Sequence, residues 1–168
     1  MNANRSVTAT FTLNTYALSL NVSGTGSASA SPSLASYPYG TPVTLTATAG
    51  TGWHFTGWTG DTTAAPNPLS LVMTRDRSLT ANFALNQYAL SLLTSGNGTA
   101  VASPSLASYP YGTSVSITAT PATGWHFTGW TGDTTAAANP LTLVMTSPDC
   151  KPAFSAGLPA STRCNTIP

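Results

Sequence analysis

A ten-residue stretch, Gly52-Trp53-His54-Phe55-Thr56-Gly57-Trp58-Thr59-Gly60-Asp61, recurs letter for letter from Gly124 to Asp133, 124 − 52 = 72 residues later. A fixed internal period limits the fold to copies of one unit, so it takes precedence over local propensity. The rest of the chain keeps the same offset. Tyr16-Ala-Leu-Ser-Leu20 returns as Tyr88 to Leu92, and Ser31 to Gly40 returns unchanged as Ser103 to Gly112. Asn67-Pro-Leu-Ser-Leu-Val-Met73 returns as Asn139-Pro-Leu-Thr-Leu-Val-Met145. All four tryptophans and both histidines lie in the two aromatic copies.

Both ends depart from a plain tandem pair. Arg5-Ser-Val-Thr-Ala-Thr-Phe-Thr-Leu-Asn14 matches Arg77-Ser-Leu-Thr-Ala-Asn-Phe-Ala-Leu-Asn86 in the same register, and Met1 falls on Met73. The sequence therefore opens inside the last strand of a repeat. That suggests a piece of a longer array, or a reading frame opened at an internal methionine. After Met145-Thr146 the register fails. Lys151 stands at the position of Leu79 and Ser155 at that of Phe83. Pro148 and Pro152 remove donors that a central strand needs. The expected organisation is a closing strand of a preceding repeat over 1–14, repeat 1 over 15–86 and repeat 2 over 87–146. Repeat 2 then lacks its normal last strand, and 147–168 is expected to be an aberrant, disordered tail.

Within each repeat, apolar and small polar residues alternate, the pattern of half-buried strands. Tyr16, Leu18, Leu20 and Val22 share one face. Gly24-Thr-Gly26 makes a turn, a short strand runs from Ser27 to Ser31, and Tyr37-Pro-Tyr-Gly40 turns again. Val43, Leu45 and Ala47 define a third strand, and the aromatic stretch a fourth. Leu69, Leu71 and Met73 mark a fifth; Leu79, Ala81, Phe83 and Leu85 mark a sixth. No segment carries a helical period. The fold class expected is all-β: two tandem small antiparallel modules with little or no helix. Phe83-Ala-Leu-Asn-Gln-Tyr88 holds no Gly or Pro, which favours a stiff junction between repeats.

Composition excludes several functions. Charged residues make up 5% of the chain and the net charge is +1, so no basic patch for nucleic acid can form. No apolar run reaches the roughly 18 residues of a membrane span. Met1-Asn-Ala-Asn-Arg5 has no apolar signal core, so a signal for an exported parent is expected upstream. Cys150 and Cys164 both fall in the tail, so disulfides do not hold the modules and metal-site spacing is absent.

The conspicuous side chains have two readings. Trp53, Phe55 and Trp58, with Trp125, Phe127 and Trp130, could form a platform that stacks on sugars. Alternatively they are core, each ring removing roughly 150–250 Å² from water. Alternation turns Trp53 and Phe55 inward and Trp58 outward, unless Gly57 bulges the strand and returns Trp58 to the core. Trp58 and Trp130, with His54, Asp61, His126 and Asp133, are therefore the candidate ligand-binding residues. One His and one Asp per copy do not assemble a triad, and one carboxylate per loop does not hold calcium. A turn-capping aspartate and an outward histidine are the simpler readings. Neither a cofactor nor a metal is expected. The rows Thr8, Thr10, Thr12 and Thr44, Thr46, Thr48 read as solvated β faces rather than ice-binding planes.

The order Tyr-x-Leu-x-Leu, Gly-x-Gly, Tyr-x-x-Gly-x-x-Val-x-Leu-x-Ala, Gly-Trp-x-Phe-x-Gly-Trp-x-Gly-Asp, Asn-Pro-Leu-x-Leu-x-Met and Leu-x-Ala-Asn-Phe resembles the divergent internalin-type B-repeat family of bacterial surface and secreted proteins. The resemblance covers residues 1–146. It implies β-grasp-like modules strung in tandem outside the cell, with no catalytic residue set. The expected role is thus a non-enzymatic stalk or spacer that projects or links other domains, with neighbouring repeats as partners. The alternative is an adhesion module for a glycan or cell-surface protein. A further expectation is strand exchange between chains through residues 5–13, whose Val7, Ala9, Phe11 and Leu13 match a closing strand.

Overall fold

A computed structural model describes residues 5–146. Every element is a strand, and among the described residues there is no helix. The expected loss of repeat 2's last strand, the tail over 147–168, and Cys150 and Cys164 lie outside the described residues. The chain divides into two compact units that meet between Ala84 and Leu85.

The first unit contains β1 (Thr15–Tyr16), β2 (Leu18–Ser23), β3 (Gly26–Ser31), β4 (Tyr37–Pro38), β5 (Thr41–Ala49), β6 (Trp53–Gly60), β7 (Leu69–Met73) and β8 (Arg77–Leu85). The alternation in sequence places these strands well, because one face of each is buried. Two three-stranded sheets result. In the first, β5 lies between β3 and β7, all antiparallel. In the second, β8 lies between β2 and β6. The pair β2–β8 is parallel, in register from Leu18↔Arg77 to Ser23↔Asn82. A parallel pair needs a long crossover, and everything from β3 to β7 supplies it. The first and last long strands of the repeat therefore lie side by side.

The two central strands supply most of the core. Val43, Leu45 and Ala47 of β5 and Leu79, Ala81 and Phe83 of β8 are buried in one cluster, joined by Tyr37, Trp58 and Met73. Burying one such Leu, Val or Phe contributes roughly 1.5–3 kcal/mol. The unit is thus a small sandwich in which β8 both pairs with two strands and fills the interior.

The second unit contains β9 (Gln87–Tyr88), β10 (Gly98–Ser103), β11 (Tyr109–Pro110), β12 (Ser114–Pro121) and β13 (Leu141–Val144). Its sheet β10–β12–β13 repeats β3–β5–β7, and its pair β9–β11 repeats β1–β4. Register is conserved: Ala28 faces Ala47, and Ala100 faces Ala119. Among the described residues the sheet β2–β8–β6 has no counterpart in the second unit. Residues 90–95 and 125–129 match β2 and most of β6 in sequence, yet form no strand. The buried cluster shrinks from nine residues to five: Tyr88, Tyr109, Val115, Ile117 and Met145. A strand needs a partner for its backbone donors, and the equivalent of the β8 neighbour that both segments would share lies outside the described residues.

Residues 5–13 carry a closing-strand sequence but belong to no strand, and only at Asn14, whose carbonyl accepts from Tyr39 N–H at 2.8 Å, does the segment join the unit's backbone bonding. Val7 is 95% exposed and Phe11 91% exposed.

Candidate functional site: one aromatic segment in two settings

In the first unit, the candidate site is built on β6. Trp53 and Phe55 point inward and are half-buried, while His54 is exposed on the outward parity. Gly57 then has φ +142°, a conformation that side chains resist. A single antiparallel bridge follows, in which Trp58 N–H donates to Ala64 O at 2.8 Å. The bulge resets the alternation, and Trp58 turns into the core at 0% exposure. Its indole Nε1–H donates to Pro66 O at 3.1 Å, which satisfies the one polar atom of the ring. Phe55 packs edge-on against Trp58 and Phe83, with centroids 5.4 and 5.7 Å away. The outward parity expected for Trp58 thus gives way to the glycine bulge. No face of this ring is available for stacking on a ligand.

Polar side chains here fasten β6 to β8. Asp61 accepts from Ser78 N–H, its own N–H donates to Ser78 O at 3.0 Å, and Arg75 lies 3.3 Å from its carboxylate. Asp61 therefore closes the sheet edge rather than only capping a turn. Asn82 Nδ2 donates to Gly57 O at 3.1 Å and Thr59 Oγ1 at 2.9 Å, while Thr56 Oγ1 donates to Asn82 O at 3.1 Å. Sequence reasoning passed over Asn82, although an asparagine within a strand is disfavoured by propensity and so signals a special contact. It also passed over Asn67. The Asn67 amide accepts from Ala47 N–H and donates to Ala47 O, at 2.9 and 2.7 Å. Asn139 does the same to Ala119. Each side chain extends the ladder where the loop cannot.

The identical segment of the second unit sits differently. Gly129 keeps φ +146°, and Trp130 keeps its bridge to Ala136. Trp130 Nε1–H donates to Ala138 O at 3.0 Å, and Phe127 lies 5.2 Å from its ring. The local bulge is thus intrinsic to the sequence. Burial is not: Trp130 is only half-buried, Trp125 is 53% exposed, and His126 and Asp133 are exposed. Beside these rings lies a cavity of about 360 Å³ lined by Leu93, Thr94, Gly98, Trp125, Phe127 and Trp130. In the first unit the equivalent space is occupied by β8. A Cβ built on Gly26 would lie 2.6 Å from the Phe83 ring, whereas one built on Gly98 would meet only Thr120 and Pro121 backbone. Each unit thus holds three of the six candidate residues: His54, Trp58 and Asp61 in the first, His126, Trp130 and Asp133 in the second. Among the described residues, no three metal-ligating side chains converge.

Comparison with known proteins agrees with this architecture. No curated protein and no solved structure matches the chain. A family model, the divergent InlB B-repeat domain, matches twice in tandem, over residues 16–87 and 88–150. These spans cover most of the sequence and share its register, and the family is associated with bacterial surface proteins. The chain belongs to the divergent InlB B-repeat family.

Proposed function

We propose that the chain is a non-enzymatic structural repeat, a stalk or spacer segment of a bacterial cell-surface or secreted protein that links or projects other domains. The commitment of the aromatic segment to packing carries this reading. In the complete repeat, Trp58 is wholly buried and Phe55 is wedged between Trp58 and Phe83. Asp61 and Asn82 spend their hydrogen bonds on joining strands. Catalysis needs a nucleophile, a base and an orienting group within reach of one another, and these residues hold sheet edges instead. The single residue Asn86 between β8 and β9 suits a spacer. Titrating the full chain with a panel of soluble glycans, monitored by tryptophan fluorescence, tests this. No saturable change is expected. A saturable change lost on Trp53→Ala, in a chain that still folds, would overturn it.

One observation favours a second reading, an adhesion module for a glycan or cell-surface protein. Trp125 is 53% exposed beside an open cavity, and an exposed indole stacks well on a sugar. It ranks second because the same side chains in the first unit surround a strand. In the same titration, a saturable change lost on Trp125→Ala supports adhesion instead.

A further inference from the structure

We infer that the cavity beside Trp125 is an acceptor for a strand, and that its occupant is residues 5–13 of a second copy of this chain. The first unit is the template for the complex. There β8 lies between β2 and β6 and inserts Leu79, Ala81 and Phe83 into the core. The segment Arg5–Leu13 carries Val7, Ala9 and Phe11 at the matching positions, with Leu13 at that of Leu85. These side chains have no burial of their own: Val7, Phe11 and Leu13 are 95%, 91% and 65% exposed. Apolar residues spaced for a strand face and left in water favour pairing with an open edge.

The acceptor has the complementary need. Residues 90–95 and 125–129 retain sequences that form strands in the first unit but belong to no strand among the described residues. Carrying the register over from β2–β8, Leu90 faces Arg5, Leu92 faces Val7 and Thr94 faces Ala9. Phe11 then enters above Gly98 as Phe83 lies above Gly26, and Trp125 is covered as Trp53 is. The chain's own sequence after Met145 fits the slot poorly. It places Lys151, Pro152 and Ser155 at the positions of Leu79, Thr80 and Phe83, and a proline is excluded from a central strand.

Each copy holds one donor segment and one acceptor, and the two differ in sequence. Such a contact is heterologous, so assembly proceeds head to tail. This association does not depend on the stalk reading. A chain that binds a glycan through other rings would still associate this way.

The test uses the full chain with Cys150→Ser and Cys164→Ser, so that any association is non-covalent. Mass in solution is measured by light scattering from micromolar to millimolar concentration. Species of two or more copies growing with concentration are expected, with a blue shift of tryptophan emission as Trp125 is covered. Phe11→Asp alters a residue that is 91% exposed, so it leaves the separate chain folded. It should abolish growth, and added to the parent chain it should shorten the oligomers as a terminator. A synthetic Arg5–Asn14 peptide added to the Phe11→Asp chain should restore the blue shift. A chain that stays monomeric throughout, with no shift on adding peptide, overturns the inference. So does growth that Phe11→Asp leaves unchanged, or a monomer whose emission turns red on Phe11→Asp, which would mean insertion within one chain.

Discussion

Replacing Phe83 with alanine should loosen the hold of β8 on the aromatic segment of the first unit. Phe83 is 7% exposed, lies edge-on to Phe55 and covers Gly26 at the mouth of the sandwich. Removing a buried phenylalanine costs about 3–5 kcal/mol, from lost transfer energy and the cavity left behind. A module of this size has a total stability of roughly 4–11 kcal/mol at 0.05–0.15 kcal/mol per residue. The substitution therefore removes between a third and all of it. Urea unfolding followed by tryptophan emission reads this directly. With a slope of about 1–1.5 kcal/mol per molar for so small a unit, the midpoint of the first unit should fall by about 2–5 M. Phe83 lies in β8 of the first unit, so the transition of the second should stay in place as an internal control. A loss under about 1 kcal/mol would refute the claim that β8 holds the aromatic segment in the core.

Three further outcomes follow from the same geometry. Asn82→Ala removes the bonds to Gly57 O and Thr59 Oγ1 and should cost about 1–2 kcal/mol, seen as a lower midpoint of the first unit alone. Gly57→Ala forces a side chain into φ +142° with its Cβ 3.2 Å from Ala64 O. It should cost about 1–3 kcal/mol and red-shift emission as Trp58 is displaced. Replacing residues 147–157 with the sequence of residues 75–85 should build in the second unit a counterpart of the sheet β2–β8–β6. Strand content by circular dichroism should rise, and quenching of Trp125 by acrylamide should fall; unchanged quenching would count against the strand-for-strand equivalence.

Much of the fold is legible in the sequence because burial is one-sided. Alternation located β5, β7 and β8, since inward Val43, Leu45, Leu71, Met73, Leu79 and Phe83 alternate with less buried residues, most of which carry hydroxyls or amides, though Val72 and Ala84 do not. Pairing partners are not legible in this way. Nothing local in Leu18–Ser23 announces that its neighbour is Arg77–Asn82 of β8, or that the pair is parallel. For the same reason Leu90–Ser95 resembles β2 and yet forms no strand. Propensity belongs to the segment, whereas a ladder belongs to two segments. At the candidate site, parity alone left Trp58 facing outward, and the position of Gly57 decided otherwise. The roles of Asn82 and Asn67 were hidden because each reaches across a sheet or loop to backbone far along the chain.

Backbone amide exchange, resolved residue by residue by NMR in the Phe11→Asp chain, compares two stretches of identical sequence and so of closely similar intrinsic rates. Trp53 and Trp125 donate to Gly50 O and Ala122 O alike and serve as the internal reference; beyond them, the alternate amides of 54–57 that point to β8 should be protected, while the matching amides of 126–129 should exchange near the unstructured rate. Equal protection in the two stretches would contradict the central claim, that a closing strand and not the aromatic sequence itself makes this segment a scaffold.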